Sequence, residues 1–126
     1  MKIQRRKIGC VVVFDVSGRI VAGDEVKSLR ESIRELLMRG EKDIILNLQD
    51  VPYIDSAGIG ELVRAFVAIK REQGSLQLLK PTRKVREVLE IVKLTTVFRI
   101  FDTEANALAA FNGLQIHPLG LTARAS

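Results

Sequence analysis

The sequence predicts an α/β fold with a largely parallel sheet, on two observations. First, short runs rich in valine and isoleucine alternate with segments of roughly ten to sixteen residues whose apolar positions recur every three or four residues. This alternation is typical of βαβ units, in which a helix connects two parallel strands. Second, no repeat, low-complexity block or linker divides the chain. We therefore expect a single domain over residues 1–113 and a flexible tail over residues 114–126.

The first elements follow from local patterns. Cys10–Val16 predicts a central strand, Ser17–Gly18 a turn, and Arg19–Val21 a short return strand that completes a hairpin. Asp24 is expected to cap a helix that ends near Gly40. The inward positions of that helix are Val26, Leu29, Ile33, Leu36 and Leu37.

The later elements alternate in the same way. Ile44–Leu48 predicts a second core strand, and Ile59–Arg71 predicts an amphipathic helix. The apolar face of this helix comprises Ile59, Leu62, Val63, Phe66 and Ile69, with Glu61, Arg64, Arg71 and Glu72 outside. There follow a strand at Leu76–Leu79, a helix opened by Pro81–Thr82 with Val85, Val88, Leu89 and Val92 inward, a strand at Val97–Phe101, and a helix capped by Thr103 and stopped near Gly113.

Composition narrows the class of protein. With 47% apolar and 28% charged residues the chain is typical of a globular domain, and no apolar run is long enough to span a bilayer, so we expect no membrane insertion. The net charge of +5 is spread among carboxylates and aromatic residues make up only 5%, which argues against direct nucleic-acid binding. The single Cys10 cannot form an internal disulfide, which favours a cytoplasmic location, and we expect it to fill the core.

The stretch from Val51 to Gly60 contains residues that are locally unfavourable in a helix, and it marks a candidate site. Gly58 and Gly60 fall near the start of the predicted second helix, where each costs about 1 kcal/mol relative to alanine. A helix start offers unpaired N–H groups and the positive end of the helix dipole. The hydroxyl of Ser56 would cap that end or, if phosphorylated, would place a dianion against it. Ser56 is therefore the candidate functional residue.

The residues give little support for catalysis, metal binding or nucleotide binding. A catalytic serine needs a base within hydrogen-bonding reach, and the only histidine, His117, falls in the tail and is expected to be exposed. One cysteine and one histidine make no metal-ligand pair. Gly58–Ile59–Gly60 lacks the third glycine of a dinucleotide-binding loop, and no P-loop follows. We expect no enzyme activity and no cofactor.

The neighbours of Ser56 admit more than one interpretation. Asp55 either caps the helix itself or flanks a phosphoacceptor with negative charge. Strand alternation predicts that one of Tyr53 and Ile54 points inward and the other outward, where it would contribute to a partner surface.

The run from Ile44 to Val51, followed by Ile54-Asp55-Ser56-Ala57-Gly58-Ile59-Gly60, resembles the signature of STAS domains, and in particular of the bacterial anti-sigma factor antagonists. The resemblance extends from about Lys7 to Asn112 and includes the Lys80–Thr82 junction. It implies a small mixed, mostly parallel sheet with helices packed mainly on one face, and a protein without its own catalysis.

The resemblance also implies partners. In this family a kinase-type anti-sigma factor phosphorylates the serine that matches Ser56; the unmodified antagonist binds the anti-sigma factor and releases sigma, and a phosphatase reverses the modification. Carried onto this chain, Ser56 is the phosphoacceptor, and the expected partner contacts are Asp55, Ala57, Gly58, Ile59, Gly60 and Tyr53. An alternative is a STAS subunit of a larger assembly, such as a stress-signalling scaffold or a transporter-associated protein. The oligomeric state stays open.

Overall fold

The computed structural model describes residues 1–111 and the backbone of two short strands at 114–116 and 122–124. The elements, in chain order, are β1 (Lys2–Ile8), β2 (Val11–Ser17), α1 (Asp24–Met38), β3 (Asp43–Asp50), α2 (Ser56–Arg71), β4 (Ser75–Leu79), α3 (Arg83–Ile91), a 3-10 turn (Leu94–Thr96), β5 (Arg99–Phe101), α4 (Glu104–Phe111), β6 (Leu114–Ile116) and β7 (Thr122–Arg124).

The main sheet is mixed and mostly parallel, as predicted. Its strand order is β1-β2-β3-β4-β5; β1 is antiparallel to β2, and the other three pairings are parallel. Strands β6 and β7 pair with each other in an antiparallel ribbon. His117, Gly113 and most of the predicted flexible tail lie outside the described residues, so the flexibility of the tail stays a prediction.

The predicted hairpin between Cys10–Val16 and Arg19–Val21 is wrong. The antiparallel partner of β2 is β1, which ends in a tight turn at Gly9, whose φ of 61° suits glycine. Cys10 completes this turn and is exposed, so it does not fill the core as expected. Of Arg19–Val21, only Ile20 forms a bridge, and its partner is Ile54, in the loop before α2.

The sheet separates two apolar layers of unequal size. Alternate residues of each central strand point to opposite faces, so that Val12 and Phe14 join the larger layer while Val11 and Val13 join the smaller one. The larger layer is covered by α1, α2 and α3, and the smaller one by α4 through Ala107, Leu108 and Phe111. The predicted packing of helices mainly on one face is therefore confirmed.

Several helix details differ from the prediction. Gly23, and not Asp24, is the N-cap of α1, and no side chain caps this helix. On α2 the buried face is rotated from the predicted one: Glu61 is buried and Val63 is 37% exposed. On α3 Val92 is exposed. The predicted opening of α3 at Pro81–Thr82 and the predicted Thr103 cap of α4 are confirmed: Val85 N donates to Thr82 Oγ1, and Asn106 N donates to Thr103 Oγ1. The buried residues of α3 are Val85 and Leu89.

Candidate functional site

The candidate site lies where β3 leads into α2, at the carboxyl ends of the parallel strands. Val51 and Ile54 are buried beneath the connecting loop, and Tyr53 between them is 40% exposed, which confirms the predicted alternation. Two backbone hydrogen bonds tie this loop to the segment before α1: Ile20 N donates to Tyr53 O at 3.0 Å, and Asp55 N donates to Ile20 O at 3.2 Å. The loop is therefore fixed from outside as well as by its own turn.

Asp55 is the N-cap of α2. Its carboxylate accepts hydrogen bonds from Gly58 N at 2.8 Å and from Ala22 N at 3.0 Å, so it joins the start of α2 to the approach to α1. The amides of Ala22 and Gly58 lower the pKa of this carboxyl group because they stabilise its charged form. The capping interpretation of Asp55 is confirmed, and the negative charge stands one residue before Ser56.

Ser56 is the first residue of α2 and is exposed. The predicted role of its hydroxyl as the helix cap is wrong, because Asp55 fills that role. No hydrogen bond within the described part of the chain engages the Ser56 side chain. Ser56 is therefore exposed to solvent at the positive end of the helix dipole.

The two glycines that mark the site have different surroundings. Gly58 is buried, and a Cβ placed there would collide with the carbonyl oxygen of Ile20 and lie 2.6 Å from Ile54 Cγ1. Gly60 is exposed, and a Cβ placed there would meet no atom within 4 Å. Gly58 thus permits the close approach of the Ile20 segment, whereas Gly60 leaves an open patch of helix surface.

The remaining predicted contacts divide between core and surface. Ala57 and Ile59 are half-buried and pack against the larger apolar layer. Tyr53 presents its ring to solvent, with the ammonium group of Lys84 5.9 Å from the ring centroid. Lys84 was not predicted from the sequence, because the α3 start comes next to Tyr53 only through tertiary packing.

Sequence reasoning also missed an ion pair behind the site. The Glu61 side chain is 2% exposed and accepts a hydrogen bond from Arg30 Nε of α1 at 2.9 Å, while Arg64 Nε lies 3.8 Å from the same carboxylate. A buried carboxylate needs such partners. The pair joins the middle of α1 to α2 one turn beyond the Ser56 end.

Two further features are absent from the described residues. No helix among them is both long and apolar enough to cross a membrane. In the same part of the chain, no three His, Cys, Asp or Glu side chains come together in a way that would hold a metal ion.

Comparison with known proteins identifies the family. A family model of the STAS domain matches residues 2–107. The chain belongs to the STAS family. BtrV of Bordetella bronchiseptica, which is named as an anti-sigma factor antagonist, is 28% identical over 111 residues, covering 88% of this chain and 95% of BtrV.

Solved structures of proteins named as anti-sigma factor antagonists share the fold. A protein from Thermotoga maritima, also named as an anti-sigma factor antagonist, superimposes with a TM-score of 0.81 at 26% identity, covering 86% of this chain and 92% of that one. The unphosphorylated form of the anti-sigma factor antagonist SpoIIAA superimposes with a TM-score of 0.78 at 23% identity, covering 90% of this chain and 99% of that one. The phosphorylated form of Bacillus SpoIIAA superimposes with a TM-score of 0.70 at 22% identity, covering 86% of this chain and 98% of that one.

Proposed function

We propose that this STAS protein is an anti-sigma factor antagonist whose binding is switched by phosphorylation of Ser56. The observation that carries the proposal is that Ser56 is exposed at the first position of α2, while the adjacent Asp55 caps the helix. The names of the relatives support the general role. SpoIIAA, which shares the fold, is described in both unphosphorylated and phosphorylated forms, so the fold accommodates a phosphate.

The proposed partner is a kinase-type anti-sigma factor in the cytoplasm. It would contact the exposed surface around Ser56, which combines the Tyr53 ring, the open backbone at Gly60 and the half-buried Ala57 and Ile59. Buried Gly58 would contribute indirectly, by keeping the loop in place. A phosphatase acting on phosphorylated Ser56 would restore binding.

Electrostatics explains why a phosphate would act as a switch. Phosphorylation adds about −1.5 to −2 charges at neutral pH. The new charge would stand one residue from the Asp55 carboxylate, whose pKa is already lowered and which is therefore charged. In the free protein, solvent and the helix dipole stabilise the phosphate, whereas in a close interface it must be desolvated beside a like charge. A loss of about 3 kcal/mol in binding would lower affinity roughly a hundredfold.

The test uses the full chain and the purified kinase-type anti-sigma factors of the same bacterium. With ATP present, one of them should phosphorylate the wild type on Ser56, as mapped by mass spectrometry. Ser56→Ala should bind that partner but accept no phosphate, and Ser56→Asp should bind it more weakly. Ser28→Ala, at an exposed serine on α1, is the matched control and should behave as wild type. Phosphate on another residue would refute the assignment of Ser56.

The same experiment addresses the alternative of a larger STAS assembly. Absence of phosphate transfer from every candidate kinase, together with a stable high-order complex on size measurement, would favour that alternative and contradict the switch.

A further inference from the structure

Helix α3 carries its charges in the opposite order to the one that a helix dipole favours. Arg83 and Lys84 stand in its first turn, next to the positive end of the dipole, whereas its last turn has no cation and contains Glu90. By contrast, α1 and α4 have acidic residues in their first turns, and α2 has cations in its last turn. A cation at a helix start is unfavourable, and locally unfavourable residues tend to mark functional sites.

The start of α3 is attached to the loop that leads to Ser56. Thr82, the N-cap of α3, donates a hydrogen bond from its Oγ1 to Val51 O at 3.1 Å. The ammonium group of Lys84 is 5.9 Å from the centre of the Tyr53 ring, which belongs to the same loop and is 40% exposed. Lys84 therefore borders the surface around Ser56 on the side of α3.

The positive charge of Lys84 is not neutralised within the described part of the chain. The other two cations of this half of the helix have partners: Arg86 Nη2 lies 3.1 Å from Asp102, and Arg83 Nε lies 3.4 Å from Glu87. The Arg83 side chain is 94% exposed, and such surface pairs are weak. Among the described residues, Lys84 forms no ion pair with a carboxylate. An acidic group from outside would complement this border.

The side of the Ser56 surface toward α1 has the opposite charge. The Asp55 carboxylate bonds to Ala22 N at the approach to α1, and the exposed Asp24 begins that helix. The surface is therefore negative beside α1 and positive beside α3. Such a distribution of charge determines which way round a partner with complementary charges binds.

We propose that Lys84, supported by Arg83, docks an acidic segment of the anti-sigma factor that binds at Ser56. The inference rests on the proposed function and adds to it the chemistry of the partner surface, which presents Asp or Glu side chains to the start of α3. Exposed charges at the rim of an interface mainly accelerate association and fix the orientation of the partners. Docking of this kind also gives a reason for cations at a helix start that the dipole disfavours.

The first test measures the association and dissociation rates of the full chain with the purified anti-sigma factor by surface plasmon resonance, without ATP. Lys84→Glu should lower the association rate constant about tenfold at about 0.1 M salt, with a smaller change in dissociation. The difference from wild type should disappear at about 1 M salt, where screening limits the interaction to about 3 Å. Lys84→Gln should show a smaller loss in the same direction.

Arg71→Glu is the matched control, since it reverses an exposed charge in the last turn of α2, roughly 20 Å along the helix from Ser56. It should leave both rates unchanged. Lys84→Gln should also keep the urea denaturation midpoint of the wild type, because the lost contact with Tyr53 is offset by removal of a cation from the positive end of the helix dipole.

A second measurement identifies the contact in the wild-type complex. A carbodiimide joins an amine directly to a carboxylate that contacts it, so Lys84 should be cross-linked to an Asp or Glu of the anti-sigma factor, as mapped by mass spectrometry. Equal association rates for wild type and Lys84→Glu, an equal effect of Arg71→Glu, or cross-links to the partner that leave out Lys84 would each overturn the proposal.

These outcomes are separable from those of the Ser56 test. Wild-type binding by Lys84→Glu, together with phosphate on Ser56, would refute the docking surface and leave the switch intact. Weaker binding by Lys84→Glu, with Ser56 never modified, would refute the switch and leave the docking surface intact. A wild type that binds no anti-sigma factor would refute both.

Discussion

The first turns of helices α1 and α2 differ in how they are capped. The N-cap of α1 is Gly23, at a φ of 106°, and no side chain accepts a hydrogen bond from its first turn. The N-cap of α2 is Asp55, whose carboxylate bonds both to its own helix at Gly58 N and to Ala22 N, at the approach to α1. The side chain that caps α2 therefore also holds the approach to α1, whereas no side chain caps α1.

This difference bears on how a switch can be built at Ser56. The loop before α2 is fixed by the Asp55 carboxylate, by the bridge between Ile20 and Ile54, and by the lack of a side chain at Gly58. None of these restraints uses the Ser56 hydroxyl. A modification of Ser56 can therefore change the surface charge without unfolding the helix start that presents it.

The largest expected effect is that of Gly58→Ala. The new methyl group would overlap the carbonyl oxygen of Ile20 and the side chain of Ile54, so the restraint from the α1 side must shift. We expect the free energy of unfolding to fall by about 3 kcal/mol, toward the upper end for overpacked sites. Urea denaturation followed by circular dichroism measures this change.

Gly60→Ala is the matched control for that substitution. A Cβ at Gly60 has no neighbour within 4 Å, and alanine is the better helix former by about 1 kcal/mol, so this variant should be slightly more stable than wild type. Equal destabilisation by both substitutions would mean that contact with the Ile20 segment does not determine the role of Gly58.

The two glycines also show what the sequence could and could not predict. Local propensity marks both as unusual, and the helix start marks Ser56 as the candidate functional residue. The distinction between them depends on Ile20, which comes from a segment wrongly predicted as the return strand of a hairpin. That segment has the apolar pattern of a strand, whereas β1, the true partner of β2, is almost wholly exposed and has no clear hydrophobic pattern. The pairing of Ile20 with Ile54 cannot be predicted from the residues around Ile20 alone, because Ile54 lies far along the chain.

The second comparison concerns the contact between the bodies of α1 and α2. Arg30→Met should lower the free energy of unfolding by about 2 kcal/mol, because it leaves the buried Glu61 carboxylate without its closer partner. The loss is below the range for fully buried pairs since Arg30 is half-exposed and Arg64 stays near the carboxylate. Thermal and urea denaturation measure it.

Arg34→Met is the control for this contact, since Arg34 lines the same groove between the helices without contacting Glu61. It should change stability by less than about 0.5 kcal/mol. Equal effects of the two substitutions would show that the Glu61–Arg30 pair does not hold the helices together. The pair was missed in the sequence because a glutamate on a helix is ordinarily assigned to the solvent face, and only the position of α1 assigns it inward.

The smallest expected effect is a difference in pH dependence between the two helix starts. The amides of Ala22 and Gly58 lower the pKa of Asp55 in the folded state. A group with a lowered folded pKa stabilises the protein above its unfolded pKa, and this contribution is lost as the pH falls through the folded value. Asp55→Asn keeps a capping side chain but cannot titrate. Wild type should therefore be more stable than Asp55→Asn at pH 7, and the difference should shrink on acidification.

Asp24→Asn supplies the comparison at the start of α1, where no side chain makes a capping bond. Urea denaturation between pH 7 and about pH 3 measures both variants against wild type. The pKa values of Asp15 and Glu104 are also lowered, by hydrogen bonds from Arg6, but both groups are present in every variant and cancel in the differences. A stability difference for Asp24→Asn with the same pH dependence as that for Asp55→Asn would mean that a charge near any helix start suffices. A pH dependence confined to Asp55→Asn would show that the carboxylate shared between the two helices is what sets the α2 start apart.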